Sequence, residues 1–234
     1  GASVQQGTQG FNIGRLCAYT GGLPDSVPGM AVDRMCASGL MSIGMAAKGI
    51  MTGEMNIAIG GGVESLSLTQ TKHKNAYRAR SEAVLQVMPS AYIPMIETAE
   101  IVSRRYGISR AAQDEYSLLS QLRTAAAQRD GLFDDEIVGL TVDKLLFAAD
   151  GQPNGHERVQ VVKDECNRPN TRLEDLAGLK TVWKDGAWIE QGEYVTAGNA
   201  SQFSDGAAAS LLMSRAEAKR RGLTPLGIYR GIAV

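Results

Sequence analysis

From Ala37 to Thr52 the only charged residue is Lys48, and this run leads within a few residues into MNIAIGGG at 55–62. A helix so poor in charge cannot present a wide polar face to water, so it is expected to be buried on most sides. The three consecutive glycines that end the following strand let backbone come close to a neighbour. Together these features predict an α/β unit over residues 28–66. PGMAVDRM is its apolar approach, a helix covers about Ala37 to Thr52, and a strand lies behind it. A parallel sheet sandwiched by helices is the expected setting for such a segment.

At 234 residues the chain is long enough for one large domain or for a domain carrying an insertion. A hydrophobic share of 44% against 21% charged fits an ordinary globular protein. The net charge of −1 leaves no electrostatic case for nucleic acid or a membrane surface as partner. No apolar run is long enough to span a bilayer, and the opening GASVQQGTQG lacks the basic and apolar regions of a signal peptide. The first residue is not Met, which reads as a chain beginning inside a longer protein or after a cleaved tag. Cys17, Cys36 and Cys166 are widely spaced, without a CxxC pair or a Cys/His cluster. A zinc site or disulfide framework is therefore not expected, and a reducing cytoplasm is the expected location.

Composition changes after Glu64. Lys72, His73, Lys74, Arg78 and Arg80 crowd into a polar stretch that reads either as a solvated loop or as a contact surface. Two amphipathic helices follow. IETAEIVSRRYG aligns Ala99, Val102 and Tyr106 and stops at Gly107; the next is capped by Ser109 and aligns Ala112, Tyr116, Leu119, Leu122 and Ala126 before Gly131. Residues 132–195 are irregular, with strand-like VQVV and turn signals at DGQPNG and KDGAW. AAASLLM then reads as a strand rejoining the first domain, and Ser214 with Glu217 forms a capping box.

Cys36 is the residue with the most chemistry on offer. A lone cysteine beside a buried helix reads first as a small hydrophobe. The alternative is a nucleophile. Free thiols titrate at about 8.5, and a helix N-terminus favours the thiolate through its unpaired N–H groups and partial positive charge. The small residues Ala37, Ser38 and Gly39 leave room for a substrate to approach. A tight turn holding the sulfur outward follows the logic of a nucleophile elbow. GGGVES lacks the GxGxxG order and reads as close packing of a strand around the cysteine helix, not as a dinucleotide site. Cys17 reads as core filler, and Cys166 has no assigned role. His73 and His156 read as solvated.

Three blocks in order, VDRMCASGL, MNIAIGGGVESLSL and TAGNASQFSDGAAA, resemble the thiolases, which join or cleave acyl groups on coenzyme A. The likeness extends to the opening residues 1–15, to TAE at Thr98–Glu100 and to DExxR at Asp164–Arg168. It implies a layered α/β domain, incomplete here, with residues 1–66 and 204–234 interrupted by an inserted loop domain at 67–203. The loop domain would cap the coenzyme, and the basic stretch 72–80 would build contacts of a homodimer or homotetramer. The resemblance makes Cys36 the acyl-accepting nucleophile. It lays Ala197, Ala200 and Ser201 along the pantetheine arm and Arg168 near the adenine nucleotide. Trp183 falls at the coenzyme pocket and Met95 near the acyl end.

Coenzyme A enters as substrate, acyl-CoA as its partner, and no separate cofactor is implied. Pro94 stands where the family usually has histidine, and Asp33 where it usually has Asn or Ser. Blocks for a second cysteine and for the family's catalytic histidine are not found. The implied activity is acyl transfer between coenzyme A thioesters, by thiolytic cleavage of a 3-ketoacyl-CoA or by Claisen condensation. A binding protein without turnover and a related ketosynthase are the alternatives.

Overall fold

A computed structural model describes residues 1–234, which divide into two compact units. The first joins Gly1–Ala79 to Phe203–Val234, and the second is Arg80–Gln202.

In the first unit, α1 (Ile13–Thr20) starts at Asn12, whose side chain accepts from the Arg15 N–H and donates to the Gly29 carbonyl. Helix α2 (Ser38–Met51) and strand β1 (Ile57–Glu64) fall where the charge-poor run and the glycine strand predict them. A short α3 (Leu66–Thr69) follows β1. The glycines work as close-packing residues. A Cβ on Gly60 would lie 2.7 Å from the Ile43 Cα, and one on Gly62 would lie 3.1 Å from the Gly39 Cα. Helix α2 therefore rests on the β1 backbone itself. Ser42 Oγ, 2.7 Å from the carbonyls of both Gly39 and Gly61, ties its first turn to the strand.

Beside β1 lies β4 (Gly206–Met213), followed by α8 (Arg215–Arg220). Ser214 caps α8 by accepting from the Glu217 N–H. The chain does return to its first unit here, but the β1–β4 pair is antiparallel, in register from Ile57↔Met213 to Glu64↔Gly206. The expected parallel sheet between two helical layers is absent. One face of the pair carries α2, and the other displays Ile59 and Leu211, cross-strand partners 56% and 61% exposed. Nor is α2 buried on most sides, since Leu40 and Met51 face solvent. The strand face offers only one layer of contact, so the far side of the helix stays uncovered. At the other edge of β1, Gly1 N–H donates to the Gly61 carbonyl and Val63 N–H donates to the Gly1 carbonyl, a parallel-type pattern.

The second unit holds α4 (Glu82–Val87), α5 (Met95–Tyr106), α6 (Arg110–Arg129), a hairpin of β2 (Leu140–Phe147) and β3 (Pro153–Val161), and α7 (Leu173–Ala177). Gly107 ends α5 in the left-handed region, and Ser109 caps α6 through the Ala112 N–H, as the sequence predicts. The predicted faces are another matter. Tyr106 and Tyr116 are exposed, and what α5 and α6 bury is Glu97, Glu100, Ser103 and Asp114. Apolar periodicity pointed outward because the buried stripe of these helices is acidic.

Candidate active site

Cys36 occupies a tight turn just ahead of α2. Met35 takes φ 49°, in the left-handed region, and its N–H donates to Asp33 Oδ1 at 2.8 Å. Ala37 N–H reaches the Arg34 carbonyl at 3.1 Å, and the buried Ser38 locks the turn from below. Its Oγ accepts from the Arg34 N–H at 2.8 Å and donates to the Met35 carbonyl at 2.6 Å. These bonds fix the backbone on both sides of Cys36 while the thiol itself is exposed, so it is not a core filler. No side chain caps α2 at Ala37. The Ala37 and Ser38 N–H groups donate instead to the Arg34 and Met35 carbonyls. The approach at 28–33 is extended chain rather than a ladder-bonded strand, so the elbow is a loop-to-helix turn. Cys17 is exposed on α1, against the expectation of a core position, because α1 buries none of its residues.

The far end of β1 is fastened by Glu64. Its carboxylate accepts from Ser3 N–H, from Ser3 Oγ and from Gln9 Nε2, at 2.6–2.7 Å. Burial works to raise the Glu64 carboxyl, but the hydrogen bonds from Gln9 and from Ser3 and Val4 outweigh it and hold it below its ordinary value. Asp205 does similar work at the entry to β4, accepting from Ser65 and Ser67. Chiefly the Ser67 bonds keep its carboxyl low.

The second unit contains a cleft of about 180 Å³. Its lining joins Gln121 of α6 and the Glu165–Thr171 segment to Leu176 and the Ala197–Gln202 loop. Three of the residues the sequence assigned to the coenzyme, Arg168, Ala197 and Ala200, thus meet at one site. The Arg168 segment is held by Gln121, whose Oε1 accepts from the Arg168 N–H and from Asn167 Nδ2, both at 2.8 Å. Ser201 is exposed between two lining residues and its hydroxyl donates to the Gln202 carbonyl. Trp183 and Met95 are not part of this cleft. The Trp183 indole N–H donates to the Ile189 carbonyl at 3.0 Å, within its own turn, and Met95 is exposed in the first turn of α5 after Pro94.

What shapes the 188–199 segment is a set of buried carboxylates. Glu97 Oε1 accepts from the Trp188 and Ile189 N–H groups, at 2.6 and 2.9 Å. Glu100 accepts from the N–H groups of Glu193, Tyr194 and Val195. Asp114 Oδ1 accepts from Asn199 Nδ2 at 3.0 Å. A buried carboxylate without such partners would cost several kcal/mol. Here each is matched to donors that an irregular loop would otherwise leave unpaired. The family likeness gives Glu97, Glu100 and Asp114 no role. The available signal was the three-residue spacing of Glu97, Glu100 and Ser103, which puts them on one helical face.

No helix is long and apolar enough to cross a membrane. No group of His, Cys, Asp and Glu is arranged to hold a metal ion.

Residues 1–216 match the family described as thiolase, N-terminal domain. The peroxisomal 3-ketoacyl-CoA thiolase B of Rattus norvegicus is 39% identical, over 99% of this chain and 52% of its own length. The 3-ketoacyl-CoA thiolase of Bacillus subtilis is 39% identical over 100% of this chain and 58% of its own. The beta-ketoadipyl-CoA thiolase of Pseudomonas putida is 37% identical over 100% and 58%. By these likenesses the chain belongs to the thiolase family. It spans little more than half the length of the curated relatives it matches.

Proposed function

We propose that the chain serves as the N-terminal part of a thiolase-type acyltransferase that moves acyl groups between coenzyme A thioesters through Cys36. The observation carrying this reading is the exposed Cys36 thiol, held by bonds on both flanks at the start of α2 in a chain of this family. In the degradative direction the Cys36 thiolate attacks the 3-keto carbon of a 3-ketoacyl-CoA. The bond between C2 and C3 breaks, and its electron pair leaves as the acetyl-CoA enolate, which takes up a proton. The acyl group stays on sulfur as a thioester until the thiol of a second coenzyme A, giving up its proton, displaces it. The Claisen direction is the reverse.

The 165–202 cleft is assigned to coenzyme A, with Arg168 toward the nucleotide and Ala197, Ala200 and Ser201 toward the pantetheine arm. Trp183 and Met95 receive no coenzyme contact in this cleft. His73 and His156 are exposed and belong to a loop and to β3, so the acid/base steps are assigned to residues outside these 234. No separate cofactor is assigned. A homo-oligomer in the cytoplasm completes the proposal; some relatives are named as peroxisomal.

The test uses the full-length protein with acetoacetyl-CoA and longer 3-ketoacyl-CoAs plus coenzyme A. Thiolysis followed by loss of ketoacyl absorbance should occur and should fall at least a thousandfold in Cys36→Ala. Turnover that survives in Cys36→Ala removes the nucleophile assignment, and tight coenzyme binding without cleavage favours a binding protein.

A further inference from the structure

The geometry points to Asp114 as a positioning residue that fixes the end of α7 against the 197–198 loop, two neighbouring parts of the 165–202 cleft lining, and thereby sets the affinity for coenzyme A. The inference rests on the assignment of that cleft to the coenzyme.

Asp114 is 1% exposed on α6 and takes no part in the acyl chemistry. Its two oxygens serve different donors. Oδ1 accepts from Asn199 Nδ2 at 3.0 Å, and Oδ2 accepts from Arg110 Nε at 2.8 Å. Asn199 in turn fixes the loop carrying Ala197 and Gly198. Its Nδ2 donates to the Tyr194 carbonyl at 2.9 Å, and its Oδ1 accepts from the Thr196 N–H at 2.8 Å. Arg110 reaches the other way, donating from Nη2 to the Leu176 carbonyl at 2.6 Å. Leu176 and the 197–198 segment both line the cleft. One carboxylate therefore holds a loop through one oxygen and the end of α7 through the other.

The two elements also touch directly. A Cβ on Gly198 would lie 2.5 Å from Leu176 Cδ2 and 2.6 Å from Leu179 Cδ1. Apolar contact of this kind limits how close they come but is non-directional and does not fix how they slide. Charge-assisted bonds from a carboxylate are short and directional, so they do. Asp114 supplies the register that the leucine contact lacks.

Electrostatics and positioning give opposite signs, which makes the test sharp. Removing a buried negative charge near a polyanionic ligand would by charge alone tighten binding. Positioning demands the reverse. In full-length protein, Asp114→Asn keeps one acceptor oxygen and turns an N–H₂ toward the other donor. Its dissociation constant and KM for coenzyme A, by calorimetry and thiolysis kinetics, should rise at least tenfold, with kcat at saturating coenzyme within twofold of wild type. Arg110→Lys keeps the charge but cannot bridge Asp114 and Leu176 at once, and should weaken binding in the same direction. It carries the test if Asp114→Asn does not fold. Ser214→Ala, which uncaps α8 in the other unit, should lower thermal stability and leave coenzyme affinity unchanged.

Wild-type affinity in either folded cleft variant, tighter binding, or an equal loss in Ser214→Ala overturns the inference while leaving the functional reading in place. A wild-type protein that does not bind coenzyme A overturns both.

Discussion

Met35 sets the turn of the backbone that leads into Cys36. A left-handed φ on a residue with a Cβ costs about 1–2 kcal/mol, and the bond from its N–H to Asp33 Oδ1 helps hold it there. Aspartate, asparagine and serine all carry a short side-chain acceptor that can take the N–H two residues on. Asp33 supplies that acceptor in this chain. Glu64 acts at the same scale by pinning Ser3 and Gln9 to the end of β1, and its effect depends on pH. Its folded carboxyl lies below the ordinary 4.5, so the unfolded chain takes up the proton first. The stabilisation is thus full above 4.5 and fades as pH falls through the lowered folded value. Glu64→Gln should unfold at lower denaturant concentration than wild type at neutral pH, and the gap should narrow on acidification below 4.5. A gap that stays constant across that range would show that the ionised carboxylate contributes nothing.

Helix α2 depends on glycines it does not contain. A methyl at Gly60 would sit 2.7 Å from the Ile43 Cα, so Gly60→Ala forces helix and strand apart. Overpacking of this kind costs about 1–3 kcal/mol, and because Cys36 leads into the same helix, thiolysis should fall with it. Gly227→Ala, with open space around the added methyl, should stay within about 0.5 kcal/mol of wild type. Chemical denaturation of the pair measures the first claim and turnover the second; equal stabilities would dismiss the close-packing role. The packing of α2 on β1 was legible in the sequence because charge depletion and consecutive glycines are local signals. So were the Gly107 stop and the caps at Ser109 and Ser214, which each need only a few neighbouring residues. The sheet was misread because whether AAASLLM runs parallel or antiparallel to MNIAIGGG depends on the path of the chain between them. The faces of α5 and α6 were misread for a different reason. Leu, Val and Tyr at helical spacing normally mark the buried side, but Glu97, Glu100 and Asp114 are buried here by donors that lie 85–95 residues further on, in 188–199. No local window contains both halves of those bonds. Arg168, Ala197 and Ala200 were placed by family likeness alone, and the chain brings them together by folding 165–171 beside 197–202.

At the scale of the whole chain, surface is the governing quantity. The 234 residues expose 17437 Å². A folded monomer of 24.9 kDa is expected to expose roughly 10,000 Å². Only seven hydrophobic residues are buried, among them Val4 and Ala47 in the first unit and Leu176, Ile189 and Val195 in the second. Such a core is small against the conformational entropy of ordering a chain this long. Meanwhile Ile59 and Leu211 lie open on the strand face of the first unit, and Leu40 and Met51 lie open on α2. The relatives, nearly twice as long, have residues to spare for covering them. Expressed alone, the 234 residues should bind a hydrophobic dye strongly, self-associate on a sizing column and show no thiolysis. Substituting Ile59 and Leu211 together by Thr, a residue suited to strands, removes apolar area from the open strand face and should lessen dye binding and association. In the full-length protein the same pair of changes should instead destabilise, because a face that is covered loses buried apolar contact at about 25 cal/mol per Å². The opposite signs in the two settings are the signature of a covered surface. A gain or no change in stability in both would mean that the β1–β4 face stays in water.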